Sequence, residues 1–173
     1  MPETVQQYAA RINSYIQDQD PLTVLAETPT RLRKLVYSRP DAQLRTRPAP
    51  ERWSVIEQLA HLSDAEIVIG FRVRAIVGAP DGVSIAAYDQ NLWQQSMGYN
   101  DRDLAPMLDA FSAARDYNVR LYRSLDEAAW NKFGVHSERG RETVRDVVRL
   151  AAGHDLNHLR QIEAVLNKSA AAD

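Results

Sequence analysis

Cysteine is absent from this 173-residue chain. Disulfides, thiolate metal sites and a cysteine nucleophile are thereby excluded, and any thiol chemistry must draw its sulfur from a small molecule. No apolar run approaches the roughly 18 residues that span a bilayer, so no membrane role is expected. The opening "MPETVQQYAARINSY" lacks the basic start and apolar stretch of a secretory leader, which makes the cytoplasm the expected location. Positive charge is not in excess either: 21 Lys and Arg against 23 Asp and Glu leave a formal net charge of -2. The arginines are interleaved with acids, whereas a nucleic-acid partner needs a concentrated basic face, so none is expected. Histidine is scarce, with four residues, and each position is therefore informative.

What remains is 45% hydrophobic and 25% charged, the balance of a soluble globular domain. Helical periodicity dominates and strand signals are nearly missing, so the expected fold is an all-α four-helix bundle with a short extra N-terminal helix. A single domain is expected over residues 1–173, with its core at about 22–166. The first amphipathic segment runs from about Thr4 to Ile16. Leu22 to Ala26 adds a short turn, and "TPTRLRKLVYS" reads as a helix entered through Thr28 as N-cap and Pro29 at the first position. The three prolines of "SRPDAQLRTRPAPER" mark a connection. Ser54 and Glu57 form a capping box for a helix over about Val55–Val77. Residues 78–100 read as a long loop of the kind that covers a site, with a short helix in "YDQNLWQQ". Asp101 or Asp103 caps the next helix, whose stripe is Leu104, Met107, Phe111, Ala114, Asn118, Leu121 and Leu125. The segment "DEAAWNKFGVHSERGRE" reads as part helical turn and part loop. Thr143, with Asp146 as its reciprocal partner, opens a last helix to about Asn167, beyond which "KSAAAD" frays.

On that last helix Val147, Ala151, His154, His158, Ile162 and Val165 follow at steps of three or four and share one face. His154 and His158 thus point into the bundle. Inward imidazoles need partners, supplied either by a polar network or by a metal, and histidines at i and i+4 can direct nitrogens to one ion. "HDLNH" is not the metalloprotease motif, because Asp155 replaces its glutamate and no downstream histidine follows. The small residues around His154, Gly153 among them, leave room for a ligand or for close helix packing. A third ligand must come from His61 or His136. His61 lies in the capped helix among acids that could orient its second nitrogen, Asp64 above all. His136 lies in a glycine-bounded segment that reads as an exposed loop. His61 is favoured.

"ERWSVIEQLAHLSDAE" followed far downstream by "AAGHDLNHLRQIEAVL" resembles the DinB/YfiT-like family. The resemblance covers about Leu22 to Leu166 and includes "YDQ..W" and "H.ERG". It implies a four-helix bundle, often homodimeric, whose divalent metal, zinc or nickel, is held by three histidines with open positions for water or substrate. By match the metal ligands are His61, His154 and His158. Some relatives resemble S-transferases or isomerases that use a low-molecular-weight thiol. A metal held by three neutral imidazoles keeps its charge and can activate water or a thiol or polarise a carbonyl. The expected function is therefore metal-dependent chemistry on a small molecule, either thiol-dependent S-transfer or hydrolysis. The alternative is a metal-binding stress or accessory protein without turnover. No catalytic base is identified. Asp155 is read as solvated or supporting, Asn118 as a polar group inside the bundle, and Tyr88, Asp89, Gln90 and Trp93 as a pocket rim, unless Trp93 plugs the bundle end. His136 and Glu138 shape a loop, and Arg139 and Arg141 could meet an anionic substrate.

Overall fold

The computed structural model describes residues 3–169. In chain order its elements are α1 (Val5–Ser14), α2 (Pro21–Val36), α3 (Asp41–Arg45), α4 (Val55–Gly78), β1 (Val83–Ile85) and α5 (Gln90–Ser96). A 3₁₀ turn at Tyr99–Asp101 leads to α6 (Leu104–Ser124), α7 (Glu127–Asn131), β2 (Phe133–His136), β3 (Gly140–Thr143) and α8 (Val144–Ser169). The bundle consists of α2, α4, α6 and α8, packed cyclically as α2, α6, α4, α8, while α1 is the additional helix and lies on α8. Leu32, Ile56, Leu59, Phe111, Val148 and Ile162 belong to one continuous core, each such side chain contributing about 1.5–3 kcal/mol on burial. Helix α8 runs on through Ser169, and the rest of "KSAAAD" lies outside the described residues. No helix among the described residues is long and apolar enough to cross a membrane.

Two helix starts follow the expected chemistry. Ser54 Oγ accepts from the Glu57 amide at 3.1 Å while Glu57 Oε2 accepts from the Ser54 amide at 2.8 Å. Thr143 and Asp146 make the same exchange at 3.1 and 2.9 Å. Glu57 also pairs with Arg47 and accepts from Gln94 of α5 at 2.7 Å. The 78–100 segment is thereby tied to the first turn of the helix that carries His61.

Elsewhere the expectation is corrected. Residues 21–36 form one helix capped by Asp20, with Pro21 at its start and Pro29 inside it. The Thr28 hydroxyl does not cap; it donates back to the Val24 carbonyl at 2.9 Å. Pro29 has no N–H for the carbonyl of Leu25, four residues earlier, which would ordinarily break the helix. Arg115 of α6 supplies the missing donor, its Nη1 lying 2.9 Å from the Leu25 oxygen. Tertiary structure thus repairs a local defect that sequence alone reads as a boundary.

A small sheet also appears where loop was expected. β2 pairs in parallel with β1 and antiparallel with β3, in the order β1-β2-β3. Strands of three and four residues are too short for a period of two to register. Gly134 and His136 face inward on β2, and His136 lies opposite Ile85. His136 is therefore buried, at 2% exposure, and does not sit in an open loop.

Helix α1 reaches α8 at Gly153. A Cβ there would lie 2.3 Å from the Ile12 carbonyl oxygen, so Gly153 serves close helix packing. Gly153→Ala should push α1 off α8 and cost about 1–3 kcal/mol from overpacking, a loss only partly offset by alanine's better helix propensity. Thermal unfolding and limited proteolysis of α1 test this. A variant with wild-type melting and protection would contradict the close approach.

Candidate metal centre

His61 stands two turns into α4, on a segment held by the capping box, and His154 and His158 stand one turn apart on the facing side of α8. The three rings form a triangle with centroid separations of 4.9, 5.0 and 4.5 Å. Nε2 of His61 and Nε2 of His154 approach to 2.9 Å. One ring nitrogen from each residue lies within 4.8 Å of the others, and the described residues hold no other cluster of histidines and acids with such spacing. Trp53 closes one side, edge-on to His61 at 5.2 Å.

Electrostatics keep this triangle neutral. Burial, then the neighbouring His154, push His61 down to about 3. Burial and the Arg115 guanidinium hold His154 at about 4. Burial and the other two imidazoles keep His158 well below its ordinary range. Free lone pairs are what a cation requires, and protons compete poorly for them near neutrality. Gln58 defines one tautomer: its amide oxygen lies 3.3 Å from His158 Nδ1. An amide oxygen only accepts, so Nδ1 carries the proton and Nε2 is left as the donor atom.

The donor set fits a borderline divalent ion. Nitrogens each about 2.0–2.1 Å from one tetrahedral ion lie about 3.3 Å apart, so the His61–His154 pair needs only a small movement to share a cation. Three imidazoles suit zinc, nickel, copper or iron, whereas calcium and magnesium take oxygen ligands.

The acids suggested by sequence are engaged elsewhere. Asp64 does not orient His61; it forms a two-armed pair with Arg102 at 3.1 and 3.2 Å, and His61 Nδ1 is buried without a partner. Asp155 is not solvated. It is 2% exposed and accepts from Arg115 at 2.5 and 3.2 Å, which removes it as a free base. Asn118 belongs to the same interior network, donating to Glu66 Oε1 at 2.8 Å and accepting from Arg74 at 2.7 Å. Trp93 packs on Tyr88 and against the core. Gln58, Trp53 and Arg115 escape sequence reasoning. A glutamine and an arginine inside helices read as solvent-facing, and only the partner helix shows otherwise.

A cleft of about 380 Å³ opens beside the triangle, with His154 among its lining residues. Tyr8 of α1, Arg72 of α4, Tyr88, Asp89 and Gln90 at the start of α5, and His136 of β2 also line it. The expected rim residues and His136 are therefore brought to His154, except Trp93. Asp89 doubles as the α5 cap, accepting from the Asn91 and Leu92 amides at 2.8 and 3.0 Å. Arg139 pairs with Glu142 at 2.5 and 2.9 Å, and Arg141 stacks 4.2 Å from the Phe133 ring centre.

A family model described as the DinB superfamily matches residues 25–162. Among solved structures the chain is similar to YfiT from Bacillus subtilis, with 20% sequence identity and a TM-score of 0.81. The match covers 87% of this chain and 86% of that one. YfiT is described as a probable metal-dependent hydrolase with an unusual four-helix bundle topology. At that identity the likeness carries the fold. Among curated proteins nothing matches the chain.

Proposed function

Because this chain belongs to the DinB superfamily, we propose that it is a metal-dependent enzyme acting on a small molecule, with His61, His154 and His158 as the ligands of zinc or nickel. The observation that carries this reading is the neutral three-histidine triangle at the edge of a cleft. A divalent ion held there supplies Lewis acidity, lowering the pKa of a coordinated water or thiol and polarising an acyl oxygen.

The chain's own groups have plainer tasks. Gln58 orients His158, Trp53 shields His61, and the cleft admits substrate on the His154 side. Asp64 and Asp155 are both paired to arginines, so neither stands ready as a general base. In this reading the chemistry rests on an activated nucleophile, namely water for hydrolysis or a low-molecular-weight thiol for S-transfer. The description of YfiT as a probable metal-dependent hydrolase supports the first, and the absence of cysteine leaves the second to an external thiol. A homodimer belongs to the same proposal: Ile67 and Phe71 on α4 and Tyr117 on α6 are exposed, and a second copy would cover them.

The test is turnover of activated esters, and of thiol plus electrophile, by protein purified without a metal-affinity tag. Activity lost on chelation and restored by zinc or nickel supports the proposal, and the substrate that responds separates the two chemistries. Stoichiometric metal with no turnover in either assay favours the non-catalytic metal-binding alternative.

A further inference from the structure

Resting on the reading of the cleft as the substrate's approach to the triangle, we propose that it is built for a carboxylate-bearing substrate, with Arg72 and His136 as the groups that bind the carboxylate. Arg72 is 8% exposed, yet among the described residues it makes no ion pair. Its Nη2 donates to the Ala86 carbonyl at 2.8 Å, and its guanidinium lies 5.7 Å from the Tyr88 ring centre. A guanidinium this buried ordinarily has a carboxylate beside it, because an unpaired buried charge is costly.

His136 gives a second, independent indication. Its Nδ1 faces the amides of Glu138 and Arg139 at 3.2 and 3.4 Å. Those amides only donate, so Nδ1 holds the lone pair and Nε2 carries the proton. That Nε2 is buried and has no partner. Burial and the charges of Arg139 and Arg72 lower the His136 pKa, which keeps this a neutral N–H donor. Two buried groups line one cleft: a cation with no carboxylate paired to it and an N–H with no acceptor from the chain.

The acids of the cleft do not fill that role. Glu3 pairs with Arg11 at 2.8 Å, Asp89 caps α5, and Glu138 is exposed. They do limit the positive field, which favours a singly charged carboxylate over a doubly charged phosphate. Ile69, Val147 and Leu150 give the rest of the lining an apolar character, suited to an organic body that places its other end toward His154.

Benzoate is the probe, titrated calorimetrically into chelator-treated protein and again into zinc-loaded protein. Benzamide, a neutral analogue of similar shape, and phenyl phosphate are the comparators. Benzoate should bind the metal-free protein at least about tenfold more tightly than either comparator, as expected when a charge-assisted hydrogen bond is lost. Arg72→Met should remove that preference while the melting temperature falls by no more than about 2–4 °C, the scale of losing the one hydrogen bond to the Ala86 carbonyl. His136→Phe, an independent variant that keeps the ring volume, should weaken benzoate several-fold. Equal affinity for benzoate and benzamide, tighter binding of phenyl phosphate, or unchanged benzoate affinity in both variants would overturn the inference. Because the first titration is metal-free, failure of the metal reading, seen as no zinc uptake, is distinct from failure of this one.

Discussion

Arg115→Ala is expected to cost about 3–5 kcal/mol of folding stability, the usual loss when one member of a buried ionic cluster is removed. Arg115 is 2% exposed and reaches three other bundle helices. It donates to Glu66 of α4 at 2.7 Å, to Asp155 of α8 at 2.5 and 3.2 Å, and to the Leu25 carbonyl of α2 at 2.9 Å. Its removal strands two buried carboxylates and the carbonyl that Pro29 leaves open. Chemical denaturation measures the loss. The Leu25 component can be isolated, because Pro29→Ala returns an N–H to the helix at the right place. In the Pro29→Ala background Arg115→Ala should cost about 1 kcal/mol less, the net worth of one hydrogen bond. A strictly additive double mutant would show that the Leu25 contact carries no energy.

That cluster also shows where sequence reading stops. The four-helix bundle, the capped start of α4, the reciprocal Thr143–Asp146 cap and the inward face of His154 and His158 are local in character. Apolar spacing and capping chemistry act within one or two turns, so they can be read without the fold. Arg115, Gln58 and Arg72 cannot be found that way. Each sits in a helix whose neighbours are ordinary, and its burial depends on what another helix brings to it. Asp155 escapes for the same reason: its angle from His154 is readable, but the arginine waiting across the bundle is not. Pro29 is the converse case, a local signal to begin a helix that a remote guanidinium overrides. The sheet at His136 is not legible in the sequence because its strands span three or four residues, and parallel pairing of β1 with β2 joins segments about 50 residues apart in the register Ser84↔Val135.

Removing one imidazole from the triangle should abolish stoichiometric metal binding while leaving the helices in place. Changing a group that only orients a ligand, as Gln58 does for His158, typically costs about 10–100-fold in metal affinity. His61→Ala and His158→Ala should each exceed about 100-fold and Gln58→Ala should fall within that range, as read by competition with a chromophoric chelator. A cation held at 1,000 times its dissociation constant adds about 4 kcal/mol to wild-type stability. The rise in melting temperature on adding zinc should therefore vanish in both histidine variants, with far-UV circular dichroism unchanged. The pH dependence of the metal-free protein supplies a separate check. His61 and His154 titrate at about 3 and about 4 in the fold, against an ordinary value of 6.5, and His158 is depressed too. As pH falls below 6.5 the unfolded chain takes up protons first, so stability present above that value is lost progressively down to about 3–4. His61→Ala removes one of those proton sites and should flatten the slope. An equal slope in the variant would mean that the ring is not held neutral by its surroundings. Metal retained in His61→Ala and His158→Ala alike would dismiss the three-histidine site itself.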